Sequence, residues 1–296
     1  MTRAATARPR QTDVPSLAAM PPGDGYLEAT PHVLVNDERL DPVAWKVVGS
    51  DQLCVGCRQC ERTCPFGAIA VTGPLLVAPR VTVEQPVPSD IRGDITPTRP
   101  AFGYADAMRE AERCLQCPDP TCVLGCPADN DIPAFIAAIR DEDWDEAHAV
   151  LRRTSMMPDV CSRVCDQSLQ CEGACSWKLA GGDPVAIGQL ERFVTEQRPV
   201  PELRRRAPGP SAKRVAVIGS GPAGMAAAWE LMEKGARVTM FERENVTGGV
   251  LAWGIPGFTL PEAVARRPMA ALRRAGLELR TRVEVDEDAL AKLRRE

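Results

Sequence analysis

The stretch RVAVIGSGPAGMAAAWELMEKGARVTMFE, Arg214 to Glu242, decides the fold of the last third of the chain. RVAVI is a short β-branched run of the kind that forms a buried parallel strand, GPAGMAAAWELMEKG reads as a helix ending at Gly235, and ARVTMFE is a second strand. The turn of this βαβ unit is GSGPAG, Gly219 to Gly224. Its glycines permit a tight turn and the close approach of a pyrophosphate to a helix N-terminus, where free N–H groups and the dipole favour an anion. Glu242 ends the second strand eighteen residues after Gly224, placed to accept hydrogen bonds from a pair of ribose hydroxyls. The pattern is a dinucleotide site, and by itself it does not separate FAD from NAD.

Downstream, the loop VTGGVLAWGIPGFTLP leads to a helix, EAVARRPMAALRRAG, which Pro268 is placed to kink, then a strand, LELRTRV, and a final helical DEDALAKLRRE. No second glycine fingerprint follows Glu242. The expectation is an incomplete sheet of about three strands with an unpaired edge, which needs a cover to avoid aggregation.

Upstream lies the strongest regularity of the sequence, twelve cysteines in three groups of four. The first is Cys54-x2-Cys57-x2-Cys60-x3-Cys64-Pro65, the run of bacterial ferredoxins. Its short spacings let successive thiolates curl around one 4Fe-4S cluster. In two-cluster ferredoxins the fourth cysteine ligates the other cluster, so Cys64 either closes its own cluster or reaches elsewhere. A structural zinc knot would use four thiolates equally well, but this spacing followed by proline is not that of a zinc ribbon. The second group is Cys114-x2-Cys117-x4-Cys122-x3-Cys126-Pro127, and the third is Cys161-x3-Cys165-x5-Cys171-x3-Cys175.

Helical patterns surround these two groups: ADAMREAERCLQC, IPAFIAAIRDE with Pro133 in a first turn, DWDEAHAVLRRTS with Asp143 as cap, and PVAIGQLERFVTEQ closing the domain. Residues 1–45 are Pro-rich and read as disordered or weakly structured, 46–78 as the ferredoxin-type module, and 79–100 as an extended linker. Residues 101–198 form the helical cluster domain, 199–213 a Pro/Arg-rich linker in which Arg204, Arg205 and Arg206 are solvated, and 214–296 the partial Rossmann-type domain. The fold class expected is thus multi-domain: a small ferredoxin-like cluster module, an α-helical 4Fe-4S domain, and an incomplete α/β unit.

Composition sets the frame for this chemistry. The 296 residues carry a net charge of −4, which points to neither a nucleic acid nor a membrane surface as partner. No apolar run approaches a membrane span and the first twenty residues lack a secretory core, so a cytoplasmic location is expected, where thiols stay reduced and metal ligation explains the cysteines better than disulfides. The two histidines, His32 and His148, neighbour no cysteine motif and read as ordinary surface residues.

The run REAERCLQCPDPTCVLGCP, then IPAFIAAI, CEGAC, IGQLERF and the GSGPAG turn, resembles the small-subunit family of NADPH-dependent glutamate synthase. It is similar also to the small subunit of NADH-dependent ferredoxin:NADP oxidoreductase and to the N-terminal half of dihydropyrimidine dehydrogenase. The resemblance covers about residues 104 to 290 and implies that two 4Fe-4S clusters interleave. Cys114, Cys117, Cys122 and Cys175 would hold one; Cys126, Cys165, Cys171 and Glu191 would hold the other, with Glu191 giving oxygen in place of sulfur. Cys161 is then spare, either a buried small residue or a fourth ligand of the N-terminal cluster should Cys64 face elsewhere.

The resemblance also implies FAD in the first Rossmann unit, held by Gly219, Ser220, Gly221, Pro222, Ala223, Gly224, Glu242, Arg243, Gly248 and Gly249. Relatives of this family carry a further nucleotide domain for NAD(P)H, whose site is not expected in this chain; a fragment, or a partner chain completing the flavin domain, is expected instead. With the N-terminal module counted, three clusters and one flavin imply an electron-transferring subunit of an NAD(P)H-linked oxidoreductase, working with an electron-donating or electron-accepting partner. The alternatives are a non-catalytic, cluster-dependent redox-sensing or partner-binding module, and a truncated reductase.

Overall fold

The computed structural model describes residues 32–36, 45–47, 55–64, 67, 69–72, 75–76, 78–83, 100–197, 209 and 211–295. In the N-terminal part, β1 (His32–Asn36), β2 (Trp45–Val47) and β3 (Ile69–Thr72) form an antiparallel sheet in the order β2-β1-β3, with the short helix α1 (Gln59–Thr63) between β2 and β3. Part of the segment expected to be weakly structured is therefore a strand. β1 is central, pairing Leu34 with the nearby Val47 and Val33 with Val71, which lies far away in sequence. Long-range pairing of this kind overrides a weak local pattern.

The helical domain follows the capping chemistry of its sequence. In α2 (Tyr104–Glu112) Ala107 and Ala111 are buried, and the short α3 (Thr121–Leu124) carries Cys122. α4 (Ile132–Arg140) starts at Asp131, whose carboxylate accepts from Ala134 N at 3.2 Å, with Pro133 in the first turn. Its Ile132, Phe135, Ile136 and Ile139 are 2% exposed or less, a helical stripe worth about 2 kcal/mol per side chain in removed apolar surface. α5 (Trp144–Arg152) is capped by Asp143, which accepts from Glu146 N at 2.9 Å. α6 (Pro158–Val164) and the short α7 (Ser176–Leu179) carry the third cysteine group into the domain, and α8 (Ile187–Gln197) closes it by burying Leu190, Phe193 and Val194. His148, expected at the surface, lies on the buried face of α5 at 5% exposure, because the register set by Asp143 turns it inward with Ala147 and Leu151.

A buried ion pair fastens the incoming chain to this domain. Glu110 and Arg113 meet at 2.6 Å with almost no exposure. Glu110 accepts from Val81 N and Ala186 N, and Arg113 donates to the carbonyls of Ala78, Asp183 and Pro184. The first residues of the expected linker are thus extended but pinned, with Val81 and Val83 packed on the helical core. Unsatisfied buried charges are costly, so loss of either partner would strand the other.

The last part is the βαβ unit read from sequence. β4 (Arg214–Ile218), α9 (Pro222–Glu233), β5 (Arg237–Glu242) and β6 (Glu278–Thr281) give a parallel sheet in the order β4-β5-β6. The short α10 (Val250–Trp253) follows the Gly248-Gly249 turn. The helix expected over 262–276 is divided into α11 (Glu262–Ala265) and α12 (Arg267–Arg274), with Pro268 in the first turn of the second piece, where its missing N–H costs nothing. α13 (Glu287–Leu293) is capped by Asp286, which accepts from Ala289 N. Among the described residues β4 pairs only with β5, and Ile218 at its end is 52% exposed.

The helical and α/β regions share a core. Met156, Met157 and Val160 pack with Val217, Met225, Trp229 and Met269. The Arg152 guanidinium lies 4.2 Å from the Trp229 ring centroid, and Arg267 reaches the buried Asp159 carboxylate at 3.6 Å. Arg204 to Arg206 lie outside the described residues. Among the described residues no helix is long and apolar enough to cross a membrane.

Candidate iron-sulfur and dinucleotide sites

The described cysteines are free thiols. Cys114, Cys117, Cys122 and Cys175 come together from three separate stretches and line one cavity of about 370 Å³, mouth included, with Leu115, Ile132, Ile136, Trp177, Val185 and Ile187. Burial, with repulsion among the group, pushes the Cys114 and Cys117 thiols up and Cys122 up to about 12. Among the described residues no group of three or more His, Cys, Asp or Glu is arranged to hold a single metal ion. Four soft donors around an apolar cavity fit a 4Fe-4S cluster.

The mates proposed by resemblance also meet in the second group. Cys165 feels both Cys126 and Cys171, and Cys171 feels Glu191. Burial, with repulsion from Glu172, Glu191 and Cys126, holds the Cys171 thiol up to about 12. Glu191 projects from α8 at 8% exposure, and its Oε1 is buried without a hydrogen-bond partner. Burial raises this carboxyl well above the usual carboxylate range, helped by Cys161 and Asp159. An orphaned buried carboxyl beside three thiols is what a missing ligand bond would leave. The set fits a cluster with one oxygen ligand.

Cys161 borders this second group. Its neighbours are Cys165, to which it hydrogen-bonds, Ser155 at 3.7 Å, and the core shared with the α/β region. That hydrogen bond lowers the Cys165 thiol. Its position is that of a partly buried small residue and not one beside the N-terminal run.

In that run Cys57, Cys60 and Cys64 sit on and around α1, while Cys54 lies outside the described residues. Gly56 (φ +74°) and Arg58 (φ +55°) are left-handed, which curls the chain back on itself between Cys57 and its neighbours. Cys57 lies close enough to Cys117 to repel its thiolate, and Gln59 Nε2 donates to Asp119 O at 2.8 Å. Val55 and Leu75 pack on the helical core. The N-terminal module is therefore seated against the first thiol group.

The dinucleotide turn divides its glycines by task. A Cβ on Gly219 (φ +93°) or Gly221 would meet nothing within 4 Å, so neither serves internal packing; each faces open space that a ligand can enter. A Cβ on Gly224 would lie 2.0 Å from Gly219 O, so this position admits only glycine where α9 packs on the turn. Pro222 and Ala223 begin α9, which leaves its first N–H groups turned toward the same opening. Glu242, 8% exposed, accepts from Ser220 N at 2.8 Å and from Ser220 Oγ, and its other oxygen accepts from Glu244 N at 3.0 Å. Burial opposes its charge, but these hydrogen bonds outweigh it and hold the carboxyl below the usual range. Gly248 N donates to Ser220 Oγ, and a Cβ on Gly249 would lie 2.9 Å from Gly221 Cα, so this second turn rests directly on the first. Arg243 is exposed and pairs with Glu244 at 3.4 Å.

Five side chains beside these sites were not foreseen from the sequence: Ser176 and Gln116 at the sulfurs of the first group, Asp159 and Arg163 near Glu191, and Arg267 on Asp159. Ser176, directly after the predicted ligand Cys175, and Gln116, directly before Cys117, carried a signal that could have been used.

Three family models match the chain: the dihydropyrimidine dehydrogenase domain II 4Fe-4S cluster domain at residues 93–201, an NAD(P)-binding Rossmann-like domain at 217–264, and a 4Fe-4S binding domain at 50–69. Among curated relatives, the glutamate synthase [NADPH] small chain of Azospirillum brasilense is 35% identical over 224 residues, 74% of this chain and 46% of that protein. The NAD-dependent dihydropyrimidine dehydrogenase subunit PreT of Escherichia coli is 37% identical over 188 residues, 63% of this chain and 45% of that protein. The glutamate synthase small chain of Escherichia coli is 35% identical over 63% of this chain and 40% of that protein. The chain thus spans somewhat less than half the length of these relatives. It resembles them across its cluster-type cysteine region and its Rossmann-like region.

Proposed function

We propose that this chain is an electron-transferring flavo-iron-sulfur subunit of an NAD(P)H-linked oxidoreductase, holding three 4Fe-4S clusters and one FAD and passing electrons between the flavin and a protein partner. Cys54, Cys57, Cys60 and Cys64 hold the first cluster, Cys114, Cys117, Cys122 and Cys175 the second, and Cys126, Cys165, Cys171 and Glu191 the third. Bound, the clusters supply one-electron transfer and FAD the exchange between a hydride and single electrons. Gly219, Ser220, Gly221, Pro222, Ala223, Gly224, Glu242, Arg243, Gly248 and Gly249 would hold FAD.

The observation that carries this reading is the adjacency of the thiol groups. Cys57 neighbours Cys117, Cys126 and Cys171 pack in the same helical core as the first group, and Cys161 beside the second group reaches the core shared with the α/β region. Neighbouring sites are what a relay needs. The relatives' printed names, a small chain and a subunit, support a protein partner as terminal acceptor or donor.

A second reading places NAD(P) itself in the glycine turn, favoured by the NAD(P)-binding description of the model matched at 217–264. Release of the bound cofactor from anaerobically purified protein and its identification by chromatography separates the two. FAD, bleached by NADPH or NADH once the partner is added and followed by cluster reduction, supports the relay; no flavin, with NAD(P) retained, replaces it with the second reading.

A further inference from the structure

Two polar side chains that are not ligands address the sulfurs of the first interleaved group. Ser176 is 4% exposed, and its hydroxyl oxygen lies 3.4 Å from Cys117 Sγ. It opens α7 immediately after Cys175, and that helix is held by Trp177 Nε1 donating to Arg113 O at 2.8 Å and by Thr121 Oγ1 donating to Ala174 O. Gln116 has a left-handed backbone (φ +50°), a conformation that is uncommon for a residue with a long side chain. From it the amide nitrogen reaches Cys114 Sγ at 3.4 Å and Pro133 O at 3.0 Å, so both of its N–H bonds point to acceptors.

We propose that Ser176 and Gln116 are positioning residues that set the reduction potential of the cluster held by Cys114, Cys117, Cys122 and Cys175. This rests on the cluster assignment above. A ligating thiolate has no proton to give, so with iron bound the Ser176 hydroxyl is the donor to Cys117, as the Gln116 amide is to Cys114. Each added electron makes these sulfurs more negative and strengthens an N–H or O–H bond to them. The two donors therefore favour the reduced state and raise the potential. The rest of the cavity wall is mostly apolar. In the second group the corresponding neighbour of a ligand is the thiol of Cys161, a weaker donor than a hydroxyl or an amide. The inferred consequence is a step in potential between the two clusters, built from side chains outside both ligand sets.

The test is an EPR-monitored redox titration of the full chain, reconstituted anaerobically, as wild type and as Ser176→Ala, Ser176→Thr, Gln116→Met and the Ser176→Ala/Gln116→Met double variant. Ser176→Ala and Gln116→Met should each make one midpoint more negative by up to about tenfold in the reduction equilibrium, 59 mV for a one-electron couple. The double variant should shift the same midpoint further, Ser176→Thr should keep the wild-type value, and the other midpoints should not move. Unchanged midpoints at full iron content overturn the proposal, and so does loss of that cluster in either variant, which would make the residues assembly determinants. Wild-type protein that binds no cluster overturns the underlying assignment instead, and the two failures are told apart by the wild-type iron and sulfide content.

Discussion

The two interleaved cysteine groups are drawn from the same hundred residues, yet they sit in unlike surroundings. The first borders an apolar cavity in which Ser176 and Gln116 address the sulfurs. The second faces the orphaned carboxyl of Glu191, with Asp159, Arg163 and Arg267 behind it at the junction with the α/β region. Cysteine spacing determines which loops can reach one another, whereas the shell around each group determines how readily it assembles and how it holds an electron. Of the two groups, the one adjoining the N-terminal module borders a mostly apolar wall, and the other has charged side chains around it.

The harshest break in this comparison is Cys175→Ala. It should remove about four irons from the anaerobically prepared protein while the second group keeps its own; loss from both groups would show that they assemble as one. Next comes Glu191→Ala, which should leave a cluster that is lost on desalting, with the first group intact. Iron retained as in wild type would return Glu191 to an ordinary buried acid.

Gly224→Ala acts on the third site alone. Its Cβ would meet Gly219 O at 2.0 Å, so we expect the dinucleotide to be lost, at a cost of about 1–3 kcal/mol in stability, with cluster content unchanged. Denaturant unfolding together with cofactor analysis reads both effects.

A pH series sharpens the picture of assembly. Burial holds Cys122 and Cys171 up to about 12, so near neutral pH the cluster-free protein carries both as thiols, and each must shed a proton to bind iron. The raised values stabilise the cluster-free fold below the free-thiol range, and that contribution fades as pH rises through about 12. Iron uptake should accordingly speed severalfold between about pH 7 and pH 8.5, since metal affinity rises as ligand protons are lost. A flat profile would mean that the thiols are already ionised. The smallest effect is that of Arg152→Ala. Removing its contact with Trp229 should lower stability by about 1 kcal/mol, seen as an earlier thermal transition with full iron content.

Much of this arrangement was legible in the sequence. The three cysteine groups, the caps at Asp131 and Asp143, and the βαβ unit with its glycine turn are local patterns, and local patterns survive translation into structure. The pairing of Cys175 with Cys114 was not readable from spacing and came from resemblance alone. The rest depended on distance along the chain. Ser176 meets Cys117 across 59 residues and Glu110 meets Ala186 across 76, and no periodicity encodes either contact. β1 was missed because a five-residue strand flanked by prolines is stabilised by its partners and not by its own pattern. His148 misled because a charged-looking helix face hid its register.

The central claim is that these thiols hold inorganic clusters beside a flavin, and the most direct measurement is anaerobic purification with iron, sulfide, zinc and flavin quantified on one sample. The account predicts about twelve irons and twelve sulfides with one FAD per chain. Zinc in place of iron, or iron without sulfide, would contradict it.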